Sequence, residues 1–339
     1  MASAIDRVFY FTFLERSFDM TIGKKRSKPV RLYDEEKIKL INQDTQKYWK
    51  KYQQYMSIKE LSEKTIYNYN SDLSQWFIFI LDNQFNQSVV DLDEDDILEF
   101  ITFAKEQGNN TERIKRRLST ISAFYKFLKR KKILKGDSPT EYIDRPKKGL
   151  PVVEQVFLSQ KQVDDIRIAL NAYGDLQLEV YFELSLSTMA RVNAIAHLRW
   201  EQIDLENRQC NDVLEKEQRY VTLYFSEKVK RLLIKLRKQR EENNIEDYGW
   251  VWRTPYTNEE NCVTNGTLGQ WSRKIGDMIG VPCHCHTWRK SGSNLLKKMG
   301  MPLEDIATLL NHLDPSTTKK HYIDNQNTQV AALKDQFKI

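Results

Sequence analysis

Cysteine is scarce: four residues in 339, Cys210, Cys262, Cys283 and Cys285, are too few and too scattered to form a disulfide framework. No apolar run is long enough to span a bilayer, and no stretch shows the charged, apolar and small-residue order of a signal peptide. The chain is therefore expected to have no membrane partner and to stay in the cytoplasm. An excess of one charge is also nearly missing. Lys plus Arg number 53 against 47 Asp plus Glu, a net charge of +6, so where the charges lie matters more than their sum. Cys283-His284-Cys285-His286 has metal-ligating residue types but no second cysteine pair, and an extended segment would send alternate side chains to opposite faces. The expectation is half-buried thiols before a helix, with no metal and no cofactor.

What is present is a globular composition, 40% hydrophobic and 29% charged, in a chain long enough for two domains and an extension. Residues 1–45 show no helical or strand period, and carry a basic arm at Lys24, Lys25, Arg26, Lys28 and Arg31. From residue 46 to 148 the pattern is helical. Ile66, Tyr69, Leu73, Trp76, Phe77 and Ile80 form one apolar stripe, and Asp93 caps a run through Ile97, Phe100 and Ala104 that Gly108 ends. A third run puts Ile114, Leu118, Ile121, Tyr125 and Leu128 on one face, and is expected to stop at Gly136. Prolines and glycines then mark a basic linker, with its centre at 149–155. Residues 156–339 read as a second domain: a helix capped at Ser159, an apolar helix over Leu176–Leu186, a short hairpin of Val213–Glu217 and Tyr220–Phe225, and helices through Leu310 broken at Pro282 and Pro302. Gly249–Arg253 is a candidate extra strand. The fold class is mainly α with a small β-hairpin or sheet (α+β).

One further absence is informative. Between Arg113 and Lys135 lie ten Lys or Arg residues and not one acid. Such a run repels itself unless a polyanion is near, so Arg113, Lys115, Arg116, Arg117, Lys126 and Arg130, with Lys147 and Lys148 of the linker, are candidate contacts to double-stranded DNA. The stretch from His286 to Tyr322 supplies chemistry to match. It holds His286, Arg289, His312 and Tyr322 at fixed intervals between amphipathic segments. An arginine binds phosphate, an imidazole shares a proton and a phenol can attack phosphorus, so the stretch reads as half of a phosphoryl-transfer site on DNA.

The remaining half precedes it. Arg191 after an apolar helix, followed by Leu198-Arg199-Trp200-Glu201-Gln202-Ile203-Asp204, resembles the first box of the tyrosine recombinases or phage integrases. His286-x-x-Arg289, Leu310-Asn311-His312, Thr317-Thr318 and Tyr322 resemble the second box. Ser62 to Lys135 resembles that family's helical core-binding domain. The resemblance covers about residues 46–325 and implies that Arg191 and Arg289 grip the scissile phosphate. Tyr322 would be the nucleophile that forms a 3′-phosphotyrosyl bond, His286 would accept or share its proton and His312 would hydrogen-bond the phosphate. Lys216 would protonate the leaving 5′-oxygen. Neither metal nor ATP is implied, because fixed cations can meet the developing charge. A homo-tetramer on DNA, assembled from free monomers or dimers, and accessory DNA-bending or directionality proteins belong to the same expectation.

Several residues depart from the family pattern. Ala194 stands where an acid is usual three residues after the first arginine, so a supporting contact is missing or comes from elsewhere. Asn311 replaces a glycine, Trp288 and Lys290 are unusual in their box, Tyr322 follows His312 by ten residues where nine is common, and Lys216 is one residue out of register. His197 is expected to be structural; His284 and His321 have no assigned role. The tail after Tyr322, with Val330, Leu333 and Phe337 at helical spacing, is a candidate docking element for a neighbouring subunit. A DNA-binding transcriptional regulator without strand exchange, and an enzyme that nicks and closes DNA, are the rival readings.

Overall fold

A computed structural model describes residues 32–147, 156–215 and 219–311. The chain divides into two compact units, one up to Glu154 and one from Gln155. Lys148, Lys216, His312, Tyr322, the basic arm at 24–31 and the C-terminal tail lie outside the described residues.

The first unit contains α1 (Glu35–Leu40), α2 (Gln43–Ile58), α3 (Glu63–Asn83), α4 (Glu94–Glu106) and α5 (Thr111–Arg130). Helix therefore begins earlier than the sequence period suggests. The reason is local: Asp34 and Asn42 each accept two backbone N–H groups and start α1 and α2 by capping. Asp93 and Asp96 close a reciprocal capping box on α4. Helix α3 is the axis of the unit, buried on every side from Asp72 to Ile80. Its Trp76 and Phe77 meet Phe124 and Tyr125 of α5, and all four are fully buried. Helix α5 ends before Gly136, because Lys132 turns left-handed at φ 56° and the N–H groups of Ile133 and Leu134 return to the Leu128 carbonyl.

In the second unit α6 (Gln160–Tyr173) starts in a Ser159–Gln162 capping box and ends at left-handed Gly174. Helix α7 (Leu176–Thr188) is the central rod and packs on α6, on α9 (Glu227–Glu242) and on α11 (Cys285–Lys298). Its buried Glu183 is held by Arg167 of α6 at 2.7 Å and Lys228 of α9 at 2.6 Å, which ties the three helices by charge. Between α7 and α9 come α8 (Val192–Ala196) and an antiparallel sheet of β1 (Ile203–Asp204), β2 (Gln209–Glu215) and β3 (Arg219–Tyr224). The expected two-stranded hairpin thus gains a third strand, pairing Ile203 with Cys210. Gly249–Arg253 contributes only a bridge between Arg199 and Trp250. Helices α10 (Asn265–Asp277) and α12 (Leu303–Leu309) complete the unit.

Candidate active site

Two chain turns and one helix start build the site. Helix α7 ends on Met189, a non-glycine residue held left-handed at φ 52°. Its buried side chain packs with Ile306 and Leu310, which keeps the chain in this sparsely populated conformation. The turn delivers Arg191 as the N-cap of α8, its side chain 30% exposed. The guanidinium donates through Nη1 to Oε2 of Glu215, the last described residue of β2.

Helix α11 supplies the next pair. His284 is its N-cap: Nδ1 accepts the Thr287 N–H at 3.1 Å, and the Thr287 hydroxyl bonds back to the His284 N–H. This structural task accounts for a histidine that had none in the sequence reading. His286, one position into the helix, keeps part of its surface in water while the surrounding protein withdraws solvent from the rest of the ring. Its pKa is pushed down to about 4, first by desolvation and then by the positive charge of Arg289, Lys290, His284 and Arg191. It is a neutral imidazole at pH 7.

Arg289 lies one turn deeper and is 1% exposed. Its Nη1 donates to the Met189 carbonyl, and its Nη2 donates to the Leu310 carbonyl at 2.7 Å. One guanidinium therefore links the turn before Arg191 to the turn before residue 312. Arg191 and Arg289 both lie near enough to His286 for their charge to disfavour its protonation. Lys216, His312 and Tyr322 have no described position.

The unusual residues of the second box have physical roles. Trp288 is core, with its Nε1 donating to Ser272 at 3.0 Å and its ring edge-on to Phe182. Asn311 sits at φ 53°, just past the end of α12, where asparagine is the usual substitute for glycine. His197 donates through Nδ1–H to the Asn193 carbonyl at 2.8 Å and ends α8. Cys283 is buried and its thiol is pushed up to about 12 by that burial. Among the described residues no group of three or more His, Cys, Asp and Glu side chains is placed to hold a metal.

The basic face of the first unit is less uniform than the sequence suggests. Arg117 requires correction as a DNA contact. It is 2% exposed and donates to Gln75 of α3 at 2.7 Å, with its pKa pushed down to about 10 by burial. Arg116 pairs with buried Asp72, and Lys115 with Glu112. Arg113 is half-buried, whereas Lys126, Arg130 and Lys147 are exposed. Asp72 of α3 and the flanking Glu112, Asp137 and Glu141 balance part of this run, so the absence of acids inside it overstated the free charge. Sequence reasoning also missed Glu215. Ala194 was the available signal, since a missing acid beside a catalytic-type arginine calls for a search for its replacement.

Two cationic side chains within electrostatic reach of a neutral imidazole are suited to phosphoryl transfer. Comparisons with known proteins agree. Residues 156–329 match the model of the phage integrase family, and residues 49–132 match the phage integrase N-terminal SAM-like domain. The chain is 26% identical over 291 residues to tyrosine recombinase XerD of Oceanobacillus iheyensis, covering 82% of this chain and 92% of that one. Its fold is similar to a lambda integrase (75-356) dimer bound to a COC′ core site, with a TM-score of 0.64 and 16% identity over 84% of this chain and 96% of that one. A lambda integrase tetramer bound to a Holliday junction matches with a TM-score of 0.63 and 15% identity, covering 83% and 77%. The chain belongs to the phage integrase family and is a tyrosine-type site-specific recombinase.

Proposed function

We propose that this recombinase cuts and rejoins double-stranded DNA through a 3′-phosphotyrosyl intermediate, with Arg191, Lys216, His286, Arg289, His312 and Tyr322 as its catalytic set. The convergence of Arg191, His286 and Arg289 carries the reading. The Tyr322 hydroxyl attacks phosphorus, its proton passes to His286, and the bond from phosphorus to the 5′-oxygen breaks as Lys216 protonates that oxygen. Attack by a 5′-hydroxyl from another strand reverses each transfer and frees the tyrosine. The neutral His286 is competent to accept the proton. A scissile phosphate brings negative charge to its cationic neighbours and so raises its basicity as substrate binds. Arg191 has the exposure to fork onto the phosphate, while buried Arg289 contributes charge and holds the two turns.

Residues 46–148 would be the core-binding domain, 149–155 the linker and 156–339 the catalytic domain with its tail. Lys126, Arg130 and Lys147 are the best-exposed candidates for DNA phosphates. The likeness to a lambda integrase tetramer on a Holliday junction supports four subunits acting together. The cytoplasm as the place of action, and accessory DNA-bending or directionality proteins as further partners, belong to the same proposal.

The test is incubation with a pool of nicked suicide duplexes drawn from the source genome, followed by recovery of adducts that survive detergent. The wild-type chain is expected to give an adduct at a defined site. Tyr322→Phe is expected to keep DNA affinity and give none. A wild-type protein that forms no adduct, or a Tyr322→Phe variant that still does, rejects the assignment.

A further inference from the structure

We infer that Glu215 is the carboxylate that positions Arg191, taking over from β2 the task that an acid at residue 194 would otherwise perform. The inference rests on the recombinase reading above and adds a positioning residue to it. Arg191 is the N-cap of α8 and makes no side-chain cap of its own. Ala194 is the third residue of that helix, the position from which an acidic side chain normally reaches back to the N-cap N–H. Alanine has no such group, and at 1% exposure it lies against the core.

Glu215 fills both vacancies. Its Oε1 lies 3.5 Å from the Arg191 backbone N–H, and its Oε2 accepts from Nη1 of the guanidinium. The carboxylate thus fixes the start of the helix and the direction of the side chain together. Burial separates positioning from competition. The Glu215 side chain is 2% exposed and that of Arg191 is 30% exposed. The acid stands behind the arginine, and the arginine reaches solvent. A guanidinium has five N–H donors, so an acid behind it leaves others for a phosphate. An acid on the open side would instead occupy the phosphate's place. Glu215 is the last residue of β2, so the same carboxylate ties that strand to the start of α8.

The experiment is single-turnover cleavage of the nicked duplex recovered as above, by full-length protein. Glu215→Gln is expected to cleave roughly 10- to 100-fold more slowly, as misplacement of a catalytic group does, with DNA affinity unchanged. Glu215→Asp is expected to recover part of the rate. In an Arg191→Lys background, where a point charge has no planar fork to orient, Glu215→Gln should add less than about two-fold, because residues that act as one unit are not additive. Full-rate cleavage by Glu215→Gln, or equal losses in both backgrounds, overturns the role of Glu215 and leaves the recombinase reading standing. Absence of any wild-type adduct overturns both. A readout independent of rate is the set of guanidinium nitrogen resonances of Arg191, assigned by their loss in Arg191→Lys. They are expected to be split by restricted rotation in the wild-type protein and averaged in Glu215→Gln; identical spectra also overturn the role.

Discussion

At residue scale the most informative group is His286, whose charge state follows first from desolvation and then from the cations around it. The folded pKa of about 4 lies below the ordinary 6.5, so the fold favours the neutral ring. The sign is fixed by linkage: between pH 6.5 and 4 the unfolded chain binds the extra proton. His286 therefore contributes stability above pH 6.5, and that contribution is lost as the pH falls toward 4. In the free protein its imidazole proton resonance is expected to titrate near pH 4, and to move upward once a duplex supplies a phosphate. A midpoint at 6.5 in the free protein would remove the cationic setting on which its role depends. Asn311 teaches a related lesson. Read as a letter it breaks the family pattern, yet its left-handed φ of 53° meets the demand that makes glycine usual there. Backbone conformation, invisible in the sequence, decides whether such an exchange matters.

At the scale of elements, α5 shows where sequence pattern succeeds and where it fails. Its apolar face was legible because burial follows the helical period, and Ile114, Leu118, Ile121, Tyr125 and Leu128 are all buried. The opposite face was not, because the partners of Arg116 and Arg117 lie 44 and 42 residues away on α3. Only the fold brings Asp72 and Gln75 beneath Arg116 and Arg117. Replacing Lys126 and Arg130 together by alanine should make the dependence of log Kd on log salt shallower by about two, as expected for two lost phosphate contacts. Arg117→Ala should instead lower stability in urea unfolding and leave that slope unchanged.

The contact between α7 and α11 is similarly tertiary. A Cβ on Gly292 would lie 2.6 Å from the Leu186 carbonyl oxygen and 2.7 Å from Met189 Cγ, so nothing larger than hydrogen fits without movement. Gly292→Ala is expected to destabilise the protein by about 1–3 kcal/mol, the usual effect of overpacking. It should also slow cleavage, since Arg289 is one turn away on the same helix. Thermal unfolding checks the first effect and adduct formation the second.

At the scale of the whole molecule, each unit has its own core: one around Trp76, Phe77 and Phe124, the other around α7. The α+β class and the order of the boxes could be read because helical period, capping residues and motif spacing are all local in sequence. The third strand could not, since β1 is two residues long and takes its identity from pairing with β2. Glu215 was hidden for the same reason: it is 24 residues from the arginine that it meets. No helix among the described residues is long and apolar enough to cross a membrane. Deletion of the residues after Asn325 is expected to leave duplex binding unchanged and to impair assembly, as read by gel shift and by the mass of the protein–DNA complex. Recombination at full rate by the shortened chain would rule out a docking role for the tail.

Arg289 sets a practical limit on how this enzyme can be dissected. Its removal would leave two buried carbonyls, those of Met189 and Leu310, without their donor. An inactive Arg289 variant would therefore confound lost chemistry with a collapsed floor beneath two turns. The cleaner loss-of-function control is Tyr322→Phe, because the buried arginine is masonry as well as machinery and Arg191 is the ion-pair partner of buried Glu215.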